Sequence, residues 1–328
     1  MKHWYKRTVL SRLLWPASFV FGIVVRLRRL LYRLRILPSE AAGIPVIVVG
    51  NLIVGGSGKT PLALWIVELL KAKGYRPALI ARGYGGNAES RKDAVPLAVT
   101  IASNPAEVGD EPVVLARRSG VPVWVGADRV AAARAARSQN PDRDVLVLDD
   151  GLQHYRLRRD IEIALVDSRG VGNGWLLPAG PLREPVSRLA GVDAVVSHGT
   201  KTGLYTMQLA GEQLVRMTDA SELRPLASFA GQPVHAVAGI GNPNRFFLQL
   251  AAAGLKPIPH PFPDHHPFRP EDLVFGDELP ILMTEKDAVK LRSAARANWW
   301  VFPVRAELNP AFGDWLLQRL AAVRQRKA

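Results

Sequence analysis

The 328-residue chain predicts an α/β fold built on a doubly wound, mostly parallel sheet, with a second, smaller α/β domain. Three observations predict it. Short apolar, β-branched runs alternate with helical stretches. One run leads into a glycine loop that ends in Lys59-Thr60. Another ends in Asp149-Asp150. The length fits about two domains. With 48% apolar and 22% charged residues the composition is that of a folded chain, not a disordered one. There is no cysteine, which excludes a disulfide framework, a thiolate metal site and a cysteine nucleophile.

The first element is set by charge. Lys plus Arg number 43 and Asp plus Glu 29, a net charge of +14. The first 39 residues hold nine basic side chains and no acid, so that segment carries +9 and the other 289 residues only +5. The longest uncharged run there, 13–25, is too short for a spanning helix, which needs about 20 apolar residues. No small-residue cleavage site follows it. From Val20 the spacing is helical: Val20, Ile23, Val24, Leu27, Leu30, Leu31 and Leu34 form a stripe, and five arginines between Arg26 and Arg35 fall outside it. An apolar stripe flanked by arginines suits an amphipathic helix lying on an anionic membrane surface. The plainer alternative is a core helix with a solvated basic face. A nucleic-acid arm lacks any helix-turn-helix, zinc-finger or RNP pattern, so no nucleic-acid partner is expected.

The run 45–49 reads as a buried strand. Gly50-Asn-Leu-Ile-Val-Gly-Gly-Ser-Gly-Lys-Thr60 follows, with Pro61 at a first helical turn and a helix running to about Gly74. Strand, glycine loop, Lys-Thr, helix is a phosphate cradle. Gly55, Gly56, Ser57 and Gly58 would turn backbone N–H groups inward; Lys59 would reach the β- and γ-phosphates, and Thr60 would hold Mg²⁺. Ile53 stands where the strict pattern has its first glycine. The loop also resembles that of dimerising regulatory ATPases, but Val54 replaces their extra lysine.

Next come strands at 76–82 and 122–125, a helix at 127–138 and a strand at 145–148 ending in Asp149-Asp150-Gly151. A carboxylate at such a strand end can hold Mg²⁺ directly or through water. Other segments carry two readings each. Arg82-Gly-Tyr-Gly-Gly86 is a ligand-facing strand end or a turn. Asp110 caps a helix or serves as a base, and the residues alone favour the cap. Arg183 and Glu184 reach phosphate or metal, or pair with each other. Asp264, His265 and His266 have donor atoms for a metal, but adjacent histidines point apart and no third cluster supports them. Thr284-Glu-Lys-Asp287 is a strand end entering a helix and lacks the guanine-binding pattern, which disfavours GTP.

These segments, in this order, resemble the tetraacyldisaccharide 4′-kinases of lipid A synthesis over nearly the whole chain. The match rests on the basic amphipathic start, Gly50-Asn51 with 55–61, Ala81–Gly85, Gly109-Asp110-Glu111-Pro112, 149–154, Leu182-Arg183-Glu184-Pro185, 239–243, 262–265 and 284–287. The missing loop glycine is usual in that family; Ala81 stands where serine is frequent. The resemblance implies a P-loop kinase-like fold and ATP- and Mg²⁺-dependent phosphorylation of the 4′-hydroxyl of a tetraacylated glucosamine disaccharide 1-phosphate, on the cytoplasmic face of a Gram-negative inner membrane. It implies Asp110 as base with His265 as its partner and Lys59 on the transferred phosphate. Asp149 and Glu184, and secondarily Asp150, would be metal-site acids, and Arg82 and Arg183 would stabilise phosphate charge. A membrane-associated regulatory ATPase is the competing class. A metal-insertion GTPase is opposed by the absence of cysteine and of a guanine motif. The expected domains are 1–165, with the N-terminal helix and nucleotide site, and 166–303, with a last helix in 304–328 packing back on the first, in a monomer.

Overall fold

The computed structural model describes residues 2–87, 95–199 and 203–327. Two helices open the chain, α1 (Val9–Leu13) and α2 (Trp15–Arg33). Then come β1 (Val46–Gly50), α3 (Lys59–Ala72), β2 (Pro77–Ala81), β3 (Leu97–Val99), α4 (Asp110–Ser119), β4 (Val123–Val125), α5 (Arg129–Gln139), β5 (Val145–Asp149), β6 (Ile161–Val166), β7 (Ala194–His198) and β8 (Tyr205–Ala210). The second half adds β9 (Gln213–Arg216), β10 (Leu223–Pro225), β11 (Pro233–Ala238), α6 (Pro243–Ala252), β12 (Lys256–Pro261), β13 (Ile281–Thr284), β14 (Trp299–Phe302), β15 (Arg305–Leu308) and α7 (Pro310–Gln325).

Among the described residues these strands form two sheets. The larger has the order β15-β8-β7-β6-β1-β5-β2-β4-β3. Its pairings are parallel except at the two edges, β15 on β8 and β3 on β4. Every residue of β1, β2 and β5 is buried, as strands covered on both faces require. The two-residue side-chain period separates their contacts. Ile47, Val49, Leu79 and Val147 face a core shared with α3, α4 and α7, whereas Val46, Val48, Ile80 and Leu146 face α5. The smaller sheet has the order β10-β9-β14-β13-β11-β12 and its own cores.

The sheets divide elsewhere than at 165/166. Strands β7 and β8 extend the first sheet to Ala210, and the chain leaves it only at β9. It returns through β15, whose register sets Leu308 against Met207. A fully buried apolar strand reads alike in either sheet, so its partner is decided by three-dimensional packing. Helix α7 lies on α3, with Phe312 against Trp65 at 5.6 Å between ring centres.

Helix α2 begins at Trp15, five residues before the periodicity becomes visible, because Pro16 sits in its first turn, where no intrahelical N–H is needed. It turns its small side to the protein. The Ser18 hydroxyl donates to the Leu176 carbonyl at 2.8 Å and accepts from the Ala179 N–H at 2.9 Å. Gly22 lies so close to Leu176 that a Cβ would meet that side chain at 2.8 Å. The apolar stripe faces outward: Val20, Ile23, Val24, Leu27, Leu30 and Leu34 are 48–60% exposed. That excludes the core-helix alternative. Among the described residues, no helix is long and apolar enough to cross a membrane.

Candidate active site

The glycine loop leaves the C-terminal end of β1, the central position of the larger sheet. Gly58 has φ +96°, in the left-handed region that a side chain resists, and lets α3 start at Lys59 directly after the turn. Asn51 ties the loop together. Its amide donates to the Ser57 hydroxyl at 2.9 Å and its oxygen accepts from Lys59 Nζ at 3.2 Å. Arg169, ion-paired to Asp167, donates to the Gly56 carbonyl at 2.8 Å. The second sheet's 239–243 turn closes over the loop. A Cβ on Gly241 would stand 3.0 Å from the Gly56 nitrogen. A cleft of about 140 Å³ lies between, lined by Gly56–Pro61 from one side and by Arg245, Phe246 and Lys286 from the other.

The carboxylates sort by their partners. Thr60 Oγ1 donates to Asp149 Oδ2 at 2.8 Å, while Asp149 Oδ1 is buried with no hydrogen-bond partner. Burial, then Glu111, push the Asp149 carboxyl up to about 7, against the pull of Lys59 and Thr60. A buried carboxylate with one bare oxygen beside a threonine hydroxyl has the donor set and the charge deficit of a hard-cation site. Asp150 takes a different course. Its backbone is left-handed, with φ 54°, and the carboxylate accepts from Arg183 at 2.8 and 3.1 Å and pairs with Lys59 at 3.7 Å. Burial opposes its ionisation, but Lys59 and Arg183 outweigh that and hold it well below the usual range. Glu184 accepts from Tyr155 and from Gln153 and lies near Arg188. Among the described residues, no three His, Cys, Asp or Glu side chains gather into a metal-holding group. Of the expected set, Asp150 and Glu184 are paired with arginine or phenol, whereas Asp149 keeps one oxygen unpartnered beside Thr60.

Asp110 is the first residue of α4, behind Gly109 as the N-cap position. Its Oδ1 accepts from the Glu111 N–H at 2.8 Å, so it serves the helix start. Its carboxylate also meets His265 Nδ1 at 3.0 Å and Lys290 at 3.1 Å. Burial would raise Asp110, yet Lys286, the His265 hydrogen bond and Lys290 together hold it well below the usual carboxylate range. His265 has φ 60°, and its neighbour His266 turns away to Asp272 at 3.1 Å. Tyr84 packs edge-on against His265 at 4.9 Å, and its neighbour Arg82 lies 5.8 Å above the Tyr84 ring. Asp110, His265, Tyr84 and Lys290 line a second pocket of about 380 Å³. Glu111, next to Asp110 in the chain, lines the first cleft. It acts on Asp149 and accepts from Lys286 at 2.9 Å.

Asn51, Glu111, Lys286, Lys290 and Arg169 have no role legible from the residues alone. The first three sit inside segments that the sequence marks, and Lys290 lies one helical turn beyond Lys286. Nothing in the sequence points to Arg169.

Fold and cleft define a class: a two-sheet α/β protein with a glycine loop at a parallel strand end, closed by a second sheet and flanked by a carboxylate–histidine pair. Comparison with known proteins narrows it. The chain belongs to the tetraacyldisaccharide-1-P 4′-kinase family, whose model matches residues 10–321. It is 50% identical over 327 residues to the tetraacyldisaccharide 4′-kinase of Azoarcus sp. strain BH72, covering 97% of this chain and 94% of that one. It is 46% identical to the enzyme of that name from Pseudomonas aeruginosa strain LESB58, covering 97% and 95%. The crystal structure of the "apo" form of LpxK from Aquifex aeolicus in complex with ATP matches with a TM-score of 0.77 and 30% identity, over 95% of this chain and 100% of that one.

Proposed function

We propose that this chain transfers the γ-phosphoryl group of ATP to the 4′-hydroxyl of a tetraacylated glucosamine disaccharide 1-phosphate, giving lipid IV-A. The observation that carries this reading is a juxtaposition. A half-partnered Asp149 stands beside Thr60 at the glycine loop, and a separately held Asp110 lies in the adjoining pocket. Phosphoryl transfer needs both, a charge-handling side and a proton-accepting side.

The backbone N–H groups of Gly55, Gly56, Ser57 and Gly58 bind the phosphates, and Lys59 leaves Asn51 and Asp150 to meet the transferred group. Thr60 and Asp149 would hold Mg²⁺, which when bound would supply neutralisation of charge on the phosphate oxygens. Asp150 keeps Arg183 at the cleft, and Arg82 stands at the mouth of the acceptor side. Asp110 orients the acceptor hydroxyl and receives its proton, and His265 fixes the carboxylate's direction. A depressed carboxylate is a weak base in the ground state. In a loose transition state, however, the hydroxyl becomes strongly acidic only as its oxygen bonds to phosphorus. All these groups come from one chain, so the reaction needs no second copy, and we place it in a monomer. Helix α2 lies with its exposed apolar stripe in the lipid headgroup layer, on the cytoplasmic face of the inner membrane, holding the cleft at the interface from which an acylated acceptor is drawn.

The test supplies γ-labelled ATP and the lipid acceptor and follows the label. It is expected in the lipid, to be lost with Asp110→Ala and reduced with His265→Ala, while both variants still bind ATP. Label found only as free phosphate would replace the kinase by a regulatory ATPase.

A further inference from the structure

A third cavity, of about 610 Å³, lies away from the glycine loop, between α2 and the segment leading into β6. Its volume is that of a small-ligand pocket. Its wall is dense in arginine, and its acids are already neutralised. Glu162 pairs with Arg188 at 2.5 Å and with Arg159 at 3.0 Å, Asp193 with Arg319 at 2.6 Å, and Asp160 with Lys327 at 2.7 Å. Arg26, Arg29, Arg33 and Arg158 line the same cavity, and among the described residues none of them has a carboxylate partner. Four guanidinium groups without a carboxylate partner, three on α2 and Arg158 on the facing segment, repel one another unless an anion joins them. Arginine's planar fork suits the paired oxygens of a phosphate.

The setting adds the second half of the argument. Three of the four arginines lie on α2, the helix whose opposite surface exposes Leu27 (51%) and Leu34 (59%). Leu30 lines the cavity and is itself 48% exposed. With the apolar stripe at the depth of the acyl boundary, the cavity opens at the depth of the phosphates. We infer that this pocket binds the phosphate of an anionic phospholipid and so docks the protein on a bilayer in a defined orientation. The inference rests on the membrane reading of α2 and goes beyond it. It assigns recognition to a built pocket, not to diffuse charge.

The experiment uses the full chain and vesicles of phosphatidylcholine with or without phosphatidylglycerol. Arg33→Glu/Arg158→Glu is compared with a charge-matched control outside the pocket, Arg12→Glu/Arg35→Glu. The pocket variant is expected to lose at least about tenfold more of the phosphatidylglycerol-dependent binding than the control. In neutral detergent micelles its turnover on the lipid acceptor should match wild type. Unchanged melting curves show that both variants are folded. Equal losses in the two variants overturn the pocket and leave diffuse attraction. A pocket-dependent response to inorganic phosphate without any vesicle discrimination overturns the lipid as the source. A raised KM for the acceptor in micelles overturns it in favour of the acceptor's own phosphate. Wild type that ignores both kinds of vesicle overturns the membrane reading of α2 and this pocket with it, whereas partition indifferent to the pocket variant overturns the pocket alone.

Discussion

Asp149 and Asp110 are two buried carboxylates pushed in opposite directions. Asp149 has lost water and gained a single hydroxyl, so burial wins and pushes its carboxyl up to about 7. Asp110 is also buried, but two lysines and a histidine converge on it, and the charged form wins. The sign of the linkage differs accordingly. The raised Asp149 favours the ligand-free fold at low pH and loses that contribution as pH rises from about 4 through about 7. The depressed Asp110 contributes above its unfolded value and loses that only in acid. Asp149→Asn should therefore raise the melting temperature of the ligand-free protein more at pH 8 than at pH 5. It should also lower turnover by about 10²-fold or more, the scale of removing one charge-handling group from an active site. Melting curves at the two pH values and single-turnover transfer check this. A variant that melts lower at pH 8 than wild type would contradict the burial argument. How much the sequence revealed differs between the same residues. A strand-end Asp next to a phosphate loop announces Asp149. Nothing in the Asp149-Asp150 pair says that the first stays half-partnered while the second, with φ 54°, turns to Arg183 and Lys59.

Among the elements, α2 has its amphipathicity inverted relative to an ordinary surface helix. The 3.6-residue period was legible; the side it faces was not, because periodicity fixes a stripe but not its neighbour. Ser18 and Gly22 decide it by seating the helix on 176–179 through two hydrogen bonds and a contact too close for any Cβ. Deleting residues 1–36 is expected to reduce vesicle association and turnover on micellar acceptor while leaving ATP affinity near its original value. Sedimentation with vesicles and an ATP titration measure the two. Full membrane partition after the deletion would remove this role from the helix.

At the scale of the molecule, the two sheets meet through a short polar seam. Arg118 of α4 donates to both oxygens of Glu285 at 2.9 and 3.0 Å, Lys286 reaches Glu111, and Lys290 and His265 both reach Asp110. The acceptor-side carboxylate is thus completed only when the second sheet is in place, as expected of a two-substrate enzyme that closes on its ligands. Burial disfavours the charged Lys286, but Glu111 and Asp110 reverse this and keep it protonated. Lys286→Met should cost roughly 2 kcal/mol of stability, below the figure for a fully buried pair because both partners still meet water. It should also raise the Asp110 carboxyl, so that kcat/KM gains a falling limb at acid pH that wild type lacks. Urea unfolding and a pH–rate profile test both. An unchanged profile would show that Lys286 does not tune Asp110.

The sequence by itself determined the local chemistry: strand, glycine loop, Lys59-Thr60 and helix; the acid at the end of 145–149; and the arginine-flanked stripe. Each is a pattern of neighbours along the chain, set by backbone sterics, spacing and burial. Only the tertiary structure decided which sheet β6, β7, β8 and β15 join, which way α2 faces, and that Asp110 and His265, 155 residues apart, share a hydrogen bond. The physical reason is that pairing partners and desolvation belong to the packed whole. A buried strand, an aspartate or a leucine stripe has the same local signature whatever lies against it.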